Sequence, residues 1–144
     1  MKPEETIDFF LKTAWQGVAN TYNTIASEYG ITQSVGYVLI HVHEEGTAVS
    51  QIASLLGVKA TSLSRILSAM EKLGLVYKKA DSVDKRSVKV FLTDLGKEKR
   101  QIAKKVVRKF NEYLNDNVCE EDRVKLTDTL KKINQLTLAY KPGQ

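Results

Sequence analysis

One cysteine, two histidines and no long apolar run set the first bounds on this 144-residue chain. The lone Cys119 excludes an intrachain disulfide framework and fits a reducing compartment. No stretch approaches the ~20 consecutive apolar residues of a membrane helix, and none follows Met1-Lys2-Pro3-Glu4-Glu5. The chain is therefore expected to be soluble and cytoplasmic, with no membrane partner. His41 and His43 stand two apart, and on a helix such residues diverge by about 200°. With no Cys/His cluster beside them, no metal site is expected. There is neither a nucleotide-binding glycine-rich loop nor a Ser-His-Asp arrangement, so neither an enzyme nor a cofactor is expected. Repeats, low-complexity tracts and linkers are also missing, and a chain this long with 42% hydrophobic residues makes one domain over 1–144 rather than two.

Acid is scarce in the middle of the chain. From Met1 to Val58 there are two Lys+Arg against six Asp+Glu; from Lys59 to Lys109, fifteen against five; from Phe110 onward, five against six. The formal net charge of +5 thus conceals a strongly basic central third. Such a field suits a polyanion whose counterions are released on binding. An acidic peptide or an anionic surface could also use it.

The basic third contains the most patterned stretch. From Ala60 to Leu73, Leu63, Ile66, Leu67, Met70 and Leu73 recur at steps of three and four, which is one buried face of a helix. The opposite face collects Thr61, Ser64, Arg65, Ser68 and Lys72, with Ser62 at its margin and no acid at its centre. Short hydroxyls with a single Arg let a helix backbone approach DNA closely and reach base edges or phosphates. Before it, Val49, Ile52, Ala53, Leu55 and Leu56 form a short amphipathic segment, and Gly57-Val58 supplies the turn between two crossed helices. After it, Leu75–Ala80 and Val88–Leu92 read as strands joined by Asp81–Ser87. That loop ends in a basic pair, Lys85-Arg86, whose guanidinium suits a minor groove or a phosphate. Asp84 is placed to accept from the guanidinium and aim it.

The run Val49-Ser50-Gln51-Ile52-Ala53, Leu56-Gly57-Val58, Thr61 to Arg65, Met70 to Val76, Asp84-Lys85-Arg86 and Leu92-Thr93-Asp94-Leu95-Gly96 resembles the MarR family of winged-helix transcription regulators. Many relatives carry a further Arg in the wing, where this chain has Val83 and Ser87. The resemblance implies that the helix from Ala60 enters a major groove, that Arg86 reaches the adjacent minor groove, and that the outer helices pair two copies. The expected DNA contacts are Lys59, Thr61, Ser62, Ser64, Arg65 and Ser68 from the helix and Lys85 and Arg86 from the wing, with Asp84 as wing support.

The flanks are helical by period. Ile7, Phe10, Leu11, Ala14, Trp15, Val18, Tyr22, Ile25, Ala26 and Tyr29 define a first helix that Gly30 ends. Thr32 or Ser34 can cap a second, expected to run to about Glu45-Gly46. Thr93 caps a long helix that Asn115-Asp116-Asn117 interrupts, and Glu120, Glu121 and Asp122 open a last one. The expected fold class is mainly α with a small two- or three-stranded β-wing: a winged helix-turn-helix over 32–92, with helices at 1–30 and 93–144 forming a dimerisation region. Trp15, Tyr22, Tyr37 and His41 are candidates for an effector pocket, since by resemblance relatives bind phenolic or other small acids there; aromatics at helical spacing also serve as plain core. The expected partners are double-stranded DNA, a second copy of the chain, and a small aromatic or phenolic effector that relieves repression. Two other readings stay open: a redox or metal sensing regulator acting through Cys119 or the His pair, and a winged-helix protein-interaction module.

Overall fold

Three threonines open three of the helices. In the computed structural model, which describes residues 1–84 and 86–143, the Thr6 hydroxyl accepts the Phe9 N–H at the start of α1 (Ile7–Ser27). Thr32, rather than Ser34, does the same for Val35 at the start of α2 (Gln33–His41). Thr93 accepts from Gly96 as α5 (Asp94–Asn117) begins. Each such bond satisfies one of the N–H groups that a first turn leaves without a helical partner. The chain falls into two compact units, Met1–Val106 and Val107–Gln144.

The first unit is built on one core. It joins Val35, Val38 and Leu39 of α2, Ile52 of α3 (Val49–Leu56), and Leu63, Leu67 and Met70 of α4 (Ala60–Lys72) to Leu75, Val76, Val90 and Leu92. Burial of each of these larger side chains contributes roughly 1.5–3 kcal/mol. Gly57 adopts φ +64°, a left-handed conformation that ends α3 and lets the Val58 N–H return to the Ala53 carbonyl. The chain thus re-enters helix at Ala60.

A three-stranded antiparallel sheet closes this unit, in the order β1 (Thr47–Ala48), β3 (Val88–Leu92), β2 (Val76–Ala80). Its register pairs Val76 with Leu92, Tyr77 with Phe91 and Lys78 with Val90. Val76, Val90 and Leu92 are buried, so alternation places Lys78 on the α4 side of β2 and Tyr77 and Lys79 on the outer face. Where α5 begins, Gly96 touches the turn after α4: a Cβ there would lie 2.0 Å from the Leu75 carbonyl oxygen. The Thr93 N–H donates to that same oxygen.

Several boundaries differ from the sequence expectation. α1 ends at Ser27, before Gly30, because Ile31 donates back to Ala26 and folds Glu28–Gly30 into a turn. α2 ends at His41 rather than near Glu45-Gly46. Val42 is already extended, the His43 N–H turns to the Thr47 hydroxyl, and Thr47-Ala48 is thereby free to pair with Val90 and Lys89 as the third strand. Asn115, Asp116 and Asn117 remain helical, and the break falls at Val118, whose N–H still reaches the Leu114 carbonyl. Asn115–Asn117 are weak helix formers, but three such residues at a helix end cost little.

In the second unit, the last turns of α5 and α6 (Glu120–Ala139) carry surface ion pairs, Arg108 with Glu112 and Lys125 with Glu121, each one turn apart. Glu120, Glu121 and Asp122 occupy the first turn of α6, where the helix dipole favours them. No residue of α6 is buried, and Leu126, Leu136 and Leu138 are exposed.

Candidate nucleic-acid interface

α4 presents two distinct faces. Leu63, Leu67 and Met70 are buried, whereas Lys59, Thr61, Ser62, Ser64, Arg65 and Ser68 are all exposed. Lys59 stands at the N-cap without a side-chain capping bond. The hydroxyl-rich strip with Arg65 at its middle therefore faces solvent, and the only acid of the helix, Glu71, sits near its C-terminal end.

The wing loop is shaped by two aspartates. Asp81 accepts the Val83 N–H and stands 3.9 Å from the Lys89 ammonium. Asp84 accepts the backbone N–H of Arg86 at 3.1 Å, while the Ser87 N–H returns to the Asp84 carbonyl. Asp84 thus folds the backbone under Arg86. Arg86 is exposed. Lys85 lies outside the described residues.

A cleft of about 400 Å³ opens between α3, α4 and the wing, lined by Ser50, Ser64, Lys78, Arg86 and Ser87 over Val49, Leu67 and Val88. Ser50, Lys78 and Ser87 are not among the residues expected from sequence. The signal was available in strand alternation, because buried Val76 fixes the face that Lys78 shares. The Lys78 ammonium lies 3.0 Å from the Glu71 carboxylate.

A second cleft, about 500 Å³, lies between the first two helices and the helix-turn-helix. Trp15, Tyr37 and His41 line one side; Leu55, Leu56, Val58 and Ile66 line the other. The rings of Trp15 and Tyr37 are parallel, with centroids 5.8 Å apart. Tyr22 is buried behind them, edge-on to Tyr37 at 6.2 Å, and supports the cleft without lining it. Burial, with Tyr22 close by, raises the Tyr37 phenol above its ordinary pKa. Among the described residues, no group of three or more His, Cys, Asp or Glu is placed to hold a metal ion, and no helix is long and apolar enough to cross a membrane.

Comparison with known proteins bears on this arrangement. The MarR family model matches residues 29–87, which span α2 through most of the wing. An uncharacterized HTH-type transcriptional regulator, YdgJ of Bacillus subtilis (strain 168), is 28% identical over 105 residues, 72% of this chain. The match spans 64% of that relative's length. Among solved structures, the S. aureus MepR–DNA complex superposes with a TM-score of 0.82 at 19% identity, covering 90% of this chain and 96% of that one. CouR from Rhodococcus jostii RHA1, bound to p-coumaroyl-CoA, gives 0.76 at 20% identity, covering 90% and 92%. At these identities the structural likeness speaks for the fold. The family model adds that the stretch folding into the helix-turn-helix and wing, residues 29–87, is similar to the MarR family.

Proposed function

We propose that this protein is a sequence-specific, DNA-binding transcription regulator that acts as a homodimer on a pseudo-palindromic operator and represses until a small aromatic or phenolic ligand binds. The observation that carries the reading is the exposed strip of α4, where four hydroxyls surround Arg65 and no acid intervenes, beside a wing that offers Arg86. Hydroxyls and Arg65 meet the major groove; Arg86 and Lys85 meet the wing-side groove and phosphates. MepR, a structural neighbour, was solved with DNA, which supports a duplex as the partner.

Two further observations support the dimer and the effector. Ile7, Phe10 and Trp15 of α1 are exposed, as are Leu126, Leu136 and Leu138 of α6. A second copy covering these side chains would remove them from water. The Trp15–Tyr37 cleft reaches Val58 and Ile66 of the helix-turn-helix, so an occupant touches the part that reads DNA. It relieves repression only by binding one dimer geometry better than the other, since equal affinity shifts nothing. CouR, of the same fold, was solved with p-coumaroyl-CoA.

Selection of binding sequences from random duplex, followed by titration of the winner over a range of salt, tests the proposal. A selected site bound far more tightly than random duplex, with steep loss of affinity as salt rises, is expected. A protein that enriches no sequence and whose duplex affinity ignores salt is not this regulator.

A further inference from the structure

We propose that the cleft between α3, α4 and the wing seats one phosphate of the DNA backbone, with Lys78 as its cation and Glu71 as the counter-ion that the phosphate displaces. The inference rests on the DNA-binding reading above and assigns to it two residues that reading does not use. Among the described residues, the polar side chains lining the cleft are two cations, Lys78 and Arg86, and three hydroxyls, Ser50, Ser64 and Ser87, with no carboxylate or side-chain amide among them. A phosphate carries a full negative charge on oxygens that only accept, which two cations and three hydroxyls able to donate can match. The position also fits. The cleft lies between the α4 strip that would read bases and the wing, where the sugar-phosphate backbone has to pass.

Lys78 is singled out from its neighbour by the pleat of β2. Alternation from buried Val76 turns Lys78 toward α4, while Lys79 lies over the Tyr77 ring on the outer face, 5.9 Å from its centroid. Glu71, the only acid in α4, meets the Lys78 ammonium at 3.0 Å, with the two side chains 41% and 31% exposed. A pair this open to water is weakly held, so a phosphate can take the place of the carboxylate. Until it does, Glu71 keeps the ammonium over the cleft and cancels its charge. The ion pair therefore lowers affinity for any duplex alike, and leaves a larger share of the binding free energy to the base-reading residues of α4.

The test uses the full chain with Lys78→Gln, Lys78→Arg and Glu71→Gln, titrated by fluorescence anisotropy against the selected operator and a random duplex between roughly 50 and 200 mM salt. Lys78→Gln should weaken both duplexes by the same factor and reduce the log-log salt slope by about 0.9. Lys78→Arg should keep the wild-type slope, and Glu71→Gln should raise affinity for the random duplex. Matching thermal midpoints show that the variants are folded. A slope unchanged in Lys78→Gln overturns the seat, as does a changed preference between the two duplexes. Inorganic phosphate at matched ionic strength should compete no better than chloride. Competition by phosphate that is lost in Lys78→Gln would give the seat to a free anion and overturn its assignment to DNA. A wild-type protein without salt-dependent duplex affinity would instead refute the DNA-binding reading itself.

Discussion

The guanidinium of Arg100 donates to the Val42 carbonyl at 3.0 Å and stands 3.5 Å from the Glu44 carboxylate, so a residue of α5 holds the end of α2. Arg100 is 7% exposed. Its cation lies at the C-terminus of α2, where the helix dipole favours positive charge. The two contacts differ in worth, because the Glu44 side chain is 68% exposed and its half of the interaction is screened by water. Arg100→Met should cost about 2–3 kcal/mol in urea denaturation, since it strips a charge-assisted bond from a buried carbonyl. Glu44→Gln should cost less than about 1 kcal/mol. Equal costs would show that the ion pair, and not the carbonyl, is the clamp.

Tyr37 makes stability depend on alkaline pH. Its phenol is raised from the ordinary value of 10.0 by burial and by Tyr22. The folded state therefore holds this proton more tightly than the unfolded state. The stabilisation is fully present below pH 10.0 and is lost as pH rises through that value toward the folded pKa. Denaturation midpoints of wild type and Tyr37→Phe should diverge above pH 10, the wild type falling further. Parallel profiles would remove Tyr37 from the titration.

Trp15, the single tryptophan, reports directly on the proposed effector cleft. An aromatic acid that weakens operator binding should change tryptophan emission over the same concentration range, and Trp15→Leu should shift the concentration needed. An effector that releases DNA without disturbing Trp15 fluorescence acts somewhere else.

Arg65 separates base reading from phosphate holding. Arg65→Ala should lose about 1–3 kcal/mol on the selected operator and relax the preference at one position of each half-site, as checked by repeating the selection. Uniform weakening across sequences would make Arg65 a phosphate contact, and unchanged affinity would take it out of the interface.

The middle of the chain was legible in its sequence because local signals there agree with tertiary demands. The Leu63, Leu67, Met70 stripe, the Gly57 turn and the Val76 and Val90 strands all satisfy one core. Less legible were features set by distant partners. The third strand depends on Thr47 bonding back to His43 and pairing with Val90, forty-three positions away in sequence; two residues carry no periodicity of their own. The backbone bond that Asp84 accepts from Arg86 follows from local turn chemistry, an aspartate two residues before an N–H, which the charge pattern of the loop does not display. Trp15, Tyr37 and His41 line one cleft, while Tyr22 is buried against Tyr37, a distinction of depth that helical spacing does not encode. Lys78 escaped notice because a basic pair in a strand reads as surface charge until its faces are assigned.

The most direct test of the central claim, that the exposed strip of α4 and the wing read duplex DNA in a symmetric pair, is hydroxyl-radical footprinting on the selected operator. Two protected tracts on one side of the duplex, with centres one helical turn apart at roughly 34–36 Å, and both lost when Arg65 and Arg86 are replaced together by Ala, are the predicted result. A single protected tract, or protection that survives the double replacement, would contradict it.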